Sequence, residues 1–303
     1  MKVGVAISSF NSDQEVIQLI DKIQEEQWPI KGIMIVDSMG SNEIKDYLLS
    51  NHMQDIEYHN FNYNLGSAGN LYQRIHLASQ HDWDFVLALN HDALVSKSTL
   101  LAQLEHVNLE KIGALYPLKF FPEKQFYDYS GTKEVGPWRA FGPITEPEES
   151  LISHIWSSSN GALYNLEPAR KGILPNFDLW FGWDDYLYGL DLRKSGYKQF
   201  VVTKAICEDN YEFESRSLGP MTLKLSIKPA WYHYYRTRNL WWIALYRHPS
   251  LLRILRVGIR TIAETFSICL GWEKDNKLLA LKYQFIGMVH GILNRMGKWK
   301  LPE

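Results

Sequence analysis

The chain has 303 residues, 46% of them hydrophobic and 22% charged, with a net charge of -2. This composition excludes an intrinsically disordered chain and allows one large globular domain with or without an appendage. The two cysteines, Cys207 and Cys269, exclude a disulfide framework and a cysteine-rich metal site, so we expect a cytoplasmic protein. We expect neither a signal segment nor a membrane span, because every apolar stretch falls short of the roughly 20 residues that cross a bilayer.

Short apolar runs alternate with helix-like segments in the first part of the chain. Strands are predicted at residues 3–7, 32–37, 56–61, 84–90 and 112–117, and helices at 15–24, 42–49 and 67–80. The alternation predicts an α/β protein with a mainly parallel sheet, whose ligands bind at the carboxyl ends of the strands. Residues 136–150 are predicted to form a loop near the site or a surface insertion, and residues 157–166 a turn, a strand and a short helix.

Polar residues follow four predicted strands, at residues 8–11, at Asp37, at 62–70 and at 90–92. The segment NYNLGSAGN has the wrong spacing for a dinucleotide-binding fingerprint or a phosphate-binding P-loop. Gly66 and Gly69 allow a ligand to approach the backbone, and Ser67 is a candidate cap of the next helix. A plain strand-to-helix turn explains the same glycines about as well.

The segment LALNHDA places Asn90, His91 and Asp92 just after a buried strand. Asp92 is a candidate ligand of Mg²⁺ or Mn²⁺, because hard cations take oxygen ligands and often bridge a carboxylate to substrate phosphates. Helix capping is the alternative role for this aspartate.

The segment LWFGWDDYLYGLDLRKSGY sets two adjacent carboxylates, Asp184 and Asp185, at the start of a predicted helix that ends at Gly196. The helix dipole favours ionised carboxylates, whereas their proximity disfavours double ionisation, so one of them is a candidate general base. The alternative is that Asp184 caps the helix and Asp185 complements its dipole. Trp180 and Trp183 suit stacking against a sugar ring, although core packing is the commoner role of tryptophan.

The C-terminal part of the chain is basic. Residues 231–303 contain 12 Lys plus Arg against 4 Asp plus Glu, whereas residues 1–230 contain 20 against 30. Arg253, Arg256 and Arg260 recur at helical spacing beside Leu and Ile, which favours a helical appendage on an anionic membrane surface. Packing on the main domain and a homodimer contact are the alternatives. Because no nucleic-acid-binding motif accompanies the basic region, we do not expect a nucleic-acid partner.

Seven segments in order resemble the family-2 inverting glycosyltransferases of GT-A fold, especially bacterial members similar to rhamnosyltransferases and galactofuranosyltransferases. They are SSFN, IVDSMGSN, NLGSAGN, NHDA, SSSNGALY, WFGWDDYLYGLDLRKSGY, and YHYYRTRN with GILNRMGK. The resemblance implies a GT-A type, Rossmann-like mixed sheet in a catalytic domain of residues 1–230. Its nucleotide-sugar half would span about 1–117 and its acceptor half 118–230, with a helical appendage at 231–303.

The resemblance also implies site roles. Asp185 matches the catalytic base, with Asp184 beside it, and Trp180 and Trp183 match the acceptor side. Asp37 would bind the base or ribose of the donor. The residues implied for the donor nucleotide sugar are Ser8, Phe10, Asn11, Asp37, Gly66, Ser67, Gly69, Asn70, Asn90, His91 and Asp92. In YHYYRTRN, His233, Arg236 and Arg238 would either reach a diphosphate or brace the junction with the appendage.

Three departures from the family pattern concern the metal and phosphate sites. Asn90 replaces the first acid of the DxD motif, which puts strong cation binding in doubt, and Asp191 stands where relatives usually carry arginine. A histidine that often completes the metal site is missing, and Glu208 or Asp209 lies in its neighbourhood. The expected activity is transfer of a sugar from a UDP- or dTDP-sugar to a glycan or lipid-linked acceptor, on the cytoplasmic face of the membrane. The alternative is an inactive protein of this fold that binds nucleotide sugars or carbohydrate.

Overall fold

A computed structural model describes residues 1–122, 126–128, 150–208, 213–218, 221–226, 229–270 and 276–299. The chain divides into two units. The sheet unit comprises Met1–Phe177 and Asp184–Asp209, and the helical unit comprises Asp178–Trp183 and Asn210–Glu303. The domain boundary expected at residue 230 stays a prediction; in this division the helical unit begins at Asn210 and also includes the short segment before Asp184. Of the loop predicted at 136–150, only Ser150 lies within the described residues.

The sheet unit alternates strands and helices as the sequence predicts. Its strands are β1 Val3–Ser9, β2 Gly32–Asp37, β3 Ile56–Asn60, β4 Phe85–Asn90, β5 Ile112–Phe121, β6 Phe126–Asp128, β7 Leu151–Ser153, β8 Ala162–Asn165 and β9 Lys198–Glu208. Its helices are α1 Asp13–Glu25, α2 Glu43–Ser50, α3 Gly66–Ala78, α4 Lys97–Leu104, α5 Glu167–Arg170 and α6 Asp184–Lys194. The predicted elements are confirmed within a few residues, whereas α4, β6, β7 and β9 were not predicted.

Within the described residues these nine strands form one mixed sheet. The strand order is β3-β2-β1-β4-β8-β5-β9-β7, and β6 pairs with β5. Strands β1 to β4 pair in parallel, β8 runs antiparallel to both β4 and β5, and β9 is parallel to β5. Six strands therefore share one direction, so the predicted mixed but mainly parallel sheet is confirmed.

Both faces of the sheet are buried. Val5 and Ile7 of β1 belong to a hydrophobic cluster with Ile20 of α1, whereas Ala6 belongs to a second cluster with Leu71 of α3. Because successive side chains of a strand point to opposite faces, a strand covered on both sides must be apolar throughout. The polar residues are therefore left to the strand ends.

Helix α6 is fixed by a close approach and a buried hydrogen-bond chain. A Cβ added to Gly189 would lie 2.3 Å from the carbonyl oxygen of Ile155, so only glycine fits at this contact. The Gln199 amide of β9 donates to the Gly189 carbonyl at 2.8 Å and accepts from the Tyr116 hydroxyl of β5 at 2.8 Å. These contacts set the position of the helix turn that carries Asp184 and Asp185.

The described elements of the helical unit are a hairpin and three helices. The hairpin consists of β10 Phe213–Leu218 and β11 Met221–Ser226, which pair antiparallel. The helices are α7 Trp231–Trp242, which continues as a π-helical turn over Ile243–Arg247, α8 Leu251–Cys269 and α9 Lys277–Ile292. Among the described helices, none combines the length and the apolar composition that a membrane crossing requires.

Two glycines bring α9 against α7. A Cβ on Gly287 would lie 2.3 Å from the Tyr234 carbonyl oxygen, and one on Gly291 would lie 2.4 Å from that of Arg238. Because the two glycines are four residues apart, they lie on one face of α9 and let the two backbones approach closely.

We predict that Gly287→Ala destabilises the protein, because the new methyl group collides with a backbone atom that cannot rotate away. The expected loss is about 1–3 kcal/mol in the free energy of unfolding, measured by chemical denaturation. The matched control is Gly258→Ala in α8, where an added Cβ meets nothing within 4 Å. It should stabilise by about 0.5–1 kcal/mol through helix propensity, and equal effects of the two changes would contradict the packing interpretation.

Candidate active site

The carboxyl ends of four parallel strands meet at one edge of the sheet. Ser8 of β1 lies opposite Asn90 of β4, Ser9 lies opposite Asp37 of β2, and Asp37 lies opposite Asn60 of β3. The Ser8 hydroxyl donates to the Asn90 side-chain oxygen at 3.3 Å. The structure therefore brings the predicted nucleotide-binding strand ends together.

Beyond β1, the backbone turns sharply and exposes two of the predicted residues. Phe10 is 45% exposed, and Asn11, also exposed, has a left-handed φ of 52°. An exposed aromatic ring beside a polar strand edge is available to stack against a planar ligand.

Asp37 is fully buried at this edge. Its carboxylate accepts hydrogen bonds from the Tyr58 hydroxyl at 2.6 Å and from the Met39 backbone N–H at 3.2 Å. Burial and this hydrogen bond raise the pKa of Tyr58 above its usual range, so the hydroxyl stays a donor. A Cβ on Gly40 would lie 1.8 Å from the Asp37 carboxylate. No sequence pattern pointed to Tyr58, because only the pairing of β3 with β2 brings it to Asp37.

The NLGSAGN segment starts α3 in a different way from the prediction. The helix begins at Gly66, whose φ of 67° suits glycine, and the preceding Leu65 makes no side-chain cap. Ser67 therefore lies inside the first turn, and the prediction that it caps the helix is wrong. Its hydroxyl donates instead to the Asp184 carboxylate at 3.0 Å. Asn70 is buried and donates to the Val36 carbonyl at 3.0 Å, which holds α3 against β2.

The NHDA segment leaves one carboxylate accessible. Asp92 is exposed and His91 is half-buried. The Asn90 backbone N–H donates to the Asn160 side chain at 3.0 Å, so SSSNGALY reaches the end of β4. The backbone of Glu208 at the end of β9 lies beside this segment, because its N–H donates to the Leu94 carbonyl at 3.2 Å. Among the described residues, no group of three His, Cys, Asp or Glu could hold a metal ion.

The paired carboxylates occupy the first turn of α6, where they were predicted. Asp184 is buried and Asp185 is half-buried. Burial and, second, the charge of Asp184 raise the pKa of Asp185 from its ordinary value to about 7. The Tyr186 backbone N–H and the charge of Lys119 act in the opposite direction. A carboxylate with this pKa can accept a proton near neutral pH.

Arg74 supports this pair from the interior. It is a buried residue of α3, and its guanidinium donates to the Leu89 carbonyl at 3.0 Å. Burial lowers the pKa of Arg74 to about 10, whereas Tyr164 and, second, Asp184 act to raise it. The arginine therefore links the end of β4 electrostatically to Asp184. No sequence pattern singled it out, because an arginine in a helix is usually a surface residue.

The segment that precedes Asp184 has an unusual backbone. Trp180, Gly182 and Trp183 have φ angles of 56°, 77° and 66°, which are left-handed values that bulky residues rarely adopt. The Asn239 amide holds this segment by donating to the carbonyls of Leu179, Phe181 and Gly182 at 3.1, 2.9 and 2.8 Å.

Both tryptophan rings have partners within the helical unit. The Trp180 ring lies 4.6 Å from the Tyr235 ring. The Trp183 ring lies 5.2 Å from the Arg260 guanidinium, and its indole N–H donates to the Arg236 carbonyl at 3.1 Å. These contacts fit the packing alternative, and the acceptor role of the two half-buried rings stays a prediction.

The YHYYRTRN residues bind protein groups in this structure. Arg238 is fully buried and donates to the carbonyls of Gly297 and Leu179, which fits the bracing alternative. His233 lies 2.6 Å from the Glu264 carboxylate and Arg236 lies 3.8 Å from it. Although burial alone would raise the pKa of Glu264, Arg236 and His233 hold it below its ordinary value. A diphosphate role for these three residues stays a prediction.

Comparison with known proteins establishes the fold. No protein-family profile and no curated protein sequence matches the chain. A mannosyltransferase from Pyrobaculum calidifontis, solved with GDP-Man and Mn²⁺, is similar with a TM-score of 0.55 and 13% identity over 97% of this chain and 86% of that chain. S. aureus TarS 1–349 with UDP-GlcNAc has a TM-score of 0.60 and 11% identity over 96% and 82%. GalNAc-T7 with UDP, GalNAc and Mn²⁺ has a TM-score of 0.57 and 9% identity over 97% of this chain and 56% of that chain.

The structural neighbours are glycosyltransferases, and the chain has the GT-A type fold that they share. The fold predicted from the order of the sequence motifs is thereby confirmed.

We predict that Asp185→Asn stabilises the protein at pH 8 and that the gain disappears towards pH 4. Because the folded-state pKa lies above the ordinary 3.8, folding favours the protonated form. Stability that is present at low pH is therefore lost as pH rises from about 4 to about 7, and an uncharged amide removes that loss. Urea unfolding of both proteins across this range measures the effect. A stability difference that stays constant with pH would contradict the shifted pKa.

Proposed function

We propose that the protein is an inverting glycosyltransferase that moves a sugar from a UDP- or dTDP-sugar to a hydroxyl group of a glycan or lipid-linked acceptor. Rhamnose, galactofuranose or another hexose would be the sugar, and cell-surface polysaccharide such as capsule or O-antigen in a bacterium would be the product. The observation that carries the proposal is the half-buried Asp185, whose pKa is raised to about 7, in the same unit as the polar strand edge.

The reaction is a single displacement at the anomeric carbon. The oxygen of the acceptor hydroxyl forms the new bond to the anomeric carbon, while the bond between that carbon and the diphosphate breaks. Asp185 accepts the proton that the hydroxyl loses. Attack from the face opposite the leaving group inverts the anomeric configuration. No sugar becomes attached to the enzyme, and the proton ends on the Asp185 carboxyl group.

Asp184 has a different task from its neighbour. Its hydrogen bond from Ser67 and its interaction with Arg74 hold its charge beside Asp185, and that charge raises the proton affinity of the base. One carboxylate is thus the base, and the other tunes it.

A nucleoside diphosphate donor is supported by the strand edge and by the structural neighbours, which were solved with UDP, UDP-GlcNAc or GDP-Man. Asp37, fully buried and bonded to Tyr58, would support this edge from within, and the exposed Phe10 and Asn11 beside it would contact the base or the ribose. The loop before α3 ends in backbone N–H groups, which favour an anionic ligand at the N-terminus of a 13-residue helix.

A divalent cation is compatible with the exposed carboxylate of Asp92, because Mg²⁺ often takes only one or two carboxylates together with substrate phosphates. The Glu208 backbone bonds Leu94, two residues after Asp92. Asp92, with Glu208 as a second candidate, would hold the ion, which would neutralise charge on the leaving diphosphate. Two neighbours were solved with Mn²⁺.

A binding protein without turnover is the second candidate, and Asn90 favours it, because an amide stands where an acid would add charge to a cation site. Donor binding without transfer by the wild type, across donors and metals, would support this candidate against the enzyme.

We predict that Asp185→Asn lowers the rate of sugar transfer by about 10²–10⁴, because the amide cannot accept the proton. Donor affinity, measured by thermal shift with UDP- and dTDP-sugars, should stay unchanged. The matched control is Asp46→Asn on the exposed side of α2, which makes the same chemical change outside the strand edge. Transfer at the wild-type rate by Asp185→Asn would refute the assignment of the base.

We predict that Asp92→Asn removes most of any thermal stabilisation that Mn²⁺ or Mg²⁺ adds to that of UDP alone. The amide cannot supply the negative charge that a hard cation prefers. The stabilisation by UDP without metal should remain, since Asp37 and the loop before α3 are unchanged. An undiminished metal effect in the variant would place the ion elsewhere.

A further inference from the structure

Helix α8 is oriented with its apolar side outwards. Its most exposed large side chains are all apolar and are between 55% and 74% exposed: Leu251, Leu252, Leu255, Ile259, Ile262 and Phe266. At 100° per residue these positions occupy roughly a third of the helix circumference. We call this set the α8 stripe. An ordinary surface helix of a soluble protein buries such a face.

The opposite side of α8 is used for internal contacts, where the buried Val257 and Ile268 lie beside polar groups. Glu264 pairs with His233 of α7 at 2.6 Å. The Thr265 hydroxyl donates to Gln284 of α9 at 3.0 Å, and the Trp241 indole N–H donates to the Thr261 hydroxyl at 3.1 Å. These bonds fix the rotation of the helix, because turning it would break them and bury arginines. The exposure of the α8 stripe is therefore built into the packing.

Positive charge flanks the α8 stripe on one side. On the helix circumference, Arg256, Arg260 and Arg253 follow directly after the stripe on one side. Within 229–270 and 276–299 the chain has ten Lys and Arg residues and a single carboxylate, Glu264. That carboxylate has only 12% of its side chain exposed and is already paired. The described surface of these helices therefore carries positive charge beside an apolar stripe.

We propose that α8 binds the interface of an anionic lipid membrane, with the α8 stripe in the acyl boundary and the arginines at the phosphates. Its 19 residues lie along the surface over roughly 28 Å. A second copy of this chain is a less suitable partner for the stripe. Pairing two stripes would bring the arginines of both copies together, and the described helices have no further carboxylate besides the paired Glu264 to neutralise them. Anionic phosphates neutralise those arginines. The inference stands independently of the proposed transferase activity.

The test is co-flotation of the full-length protein with vesicles. We expect binding to phosphatidylcholine vesicles that contain about one third phosphatidylglycerol, and weaker binding to phosphatidylcholine alone or at high salt. The double variant Ile259→Glu/Phe266→Glu should lower the partition coefficient by at least about tenfold. The matched control, Leu49→Glu/Leu101→Glu, makes the same charge change at exposed apolar residues of α2 and α4 and should bind like the wild type.

Circular dichroism and the thermal midpoint establish that both double variants fold, which exposed positions should permit. Wild-type protein that stays in the soluble fraction with anionic vesicles would overturn the proposal, as would equal binding by the stripe variant. A concentration-dependent dimer that the stripe variant abolishes would assign the α8 stripe to a second copy instead. Because no donor or acceptor is present, failure of this test leaves the base assignment at Asp185 untouched.

Discussion

The placement of two adjacent carboxylates at the start of α6 is the constraint on which the sheet unit depends. Taking ionised carboxylates out of water costs several kcal/mol each unless charges or hydrogen bonds compensate. Helix α3 supplies that compensation through Ser67 and Arg74, and Arg74 also binds the end of β4. Asn70 ties the same helix to β2. One helix therefore relates the base to the donor edge, and a change in α3 would disturb both.

The same arrangement has a stability cost that activity explains. The raised pKa of Asp185, about 7, means that the folded protein disfavours the ionised carboxylate, so ionisation of this residue lowers the stability. A chain selected for stability alone would carry an uncharged residue there. Behind the first turn, buried Tyr116 and Gln199 and the close contact at Gly189 prevent α6 from shifting to relieve the cost. Rigid support of a costly group is typical of a catalytic site.

Periodicity predicted the sheet well and the site in part. Strands covered on both faces appear in the sequence as apolar runs, so the strands were predicted. The carboxylates of Asp184 and Asp185 were found because apolar residues at helical spacing follow them and mark the start of a helix. The groups that support the site were not found, because they come from distant parts of the chain: Arg74 acts on Asp184, Tyr58 bonds Asp37, and Gln199 bonds Gly189. Ser67 was assigned to a cap because local rules assume that a serine near a helix start bonds its own helix. Tertiary geometry gave its hydrogen bond to Asp184.

Helix α8 shows a different limit of sequence patterns. A 3.6-residue period establishes that a helix has an apolar face, but the period is the same whether that face points inwards or outwards. The direction depends on which face finds the stronger partners. In α8 the inward face places Glu264 against His233 and buries Val257 and Ile268, and the α8 stripe is left outside. A stripe of six large side chains still loses free energy in water, and an apolar surface that accepts it would recover that loss.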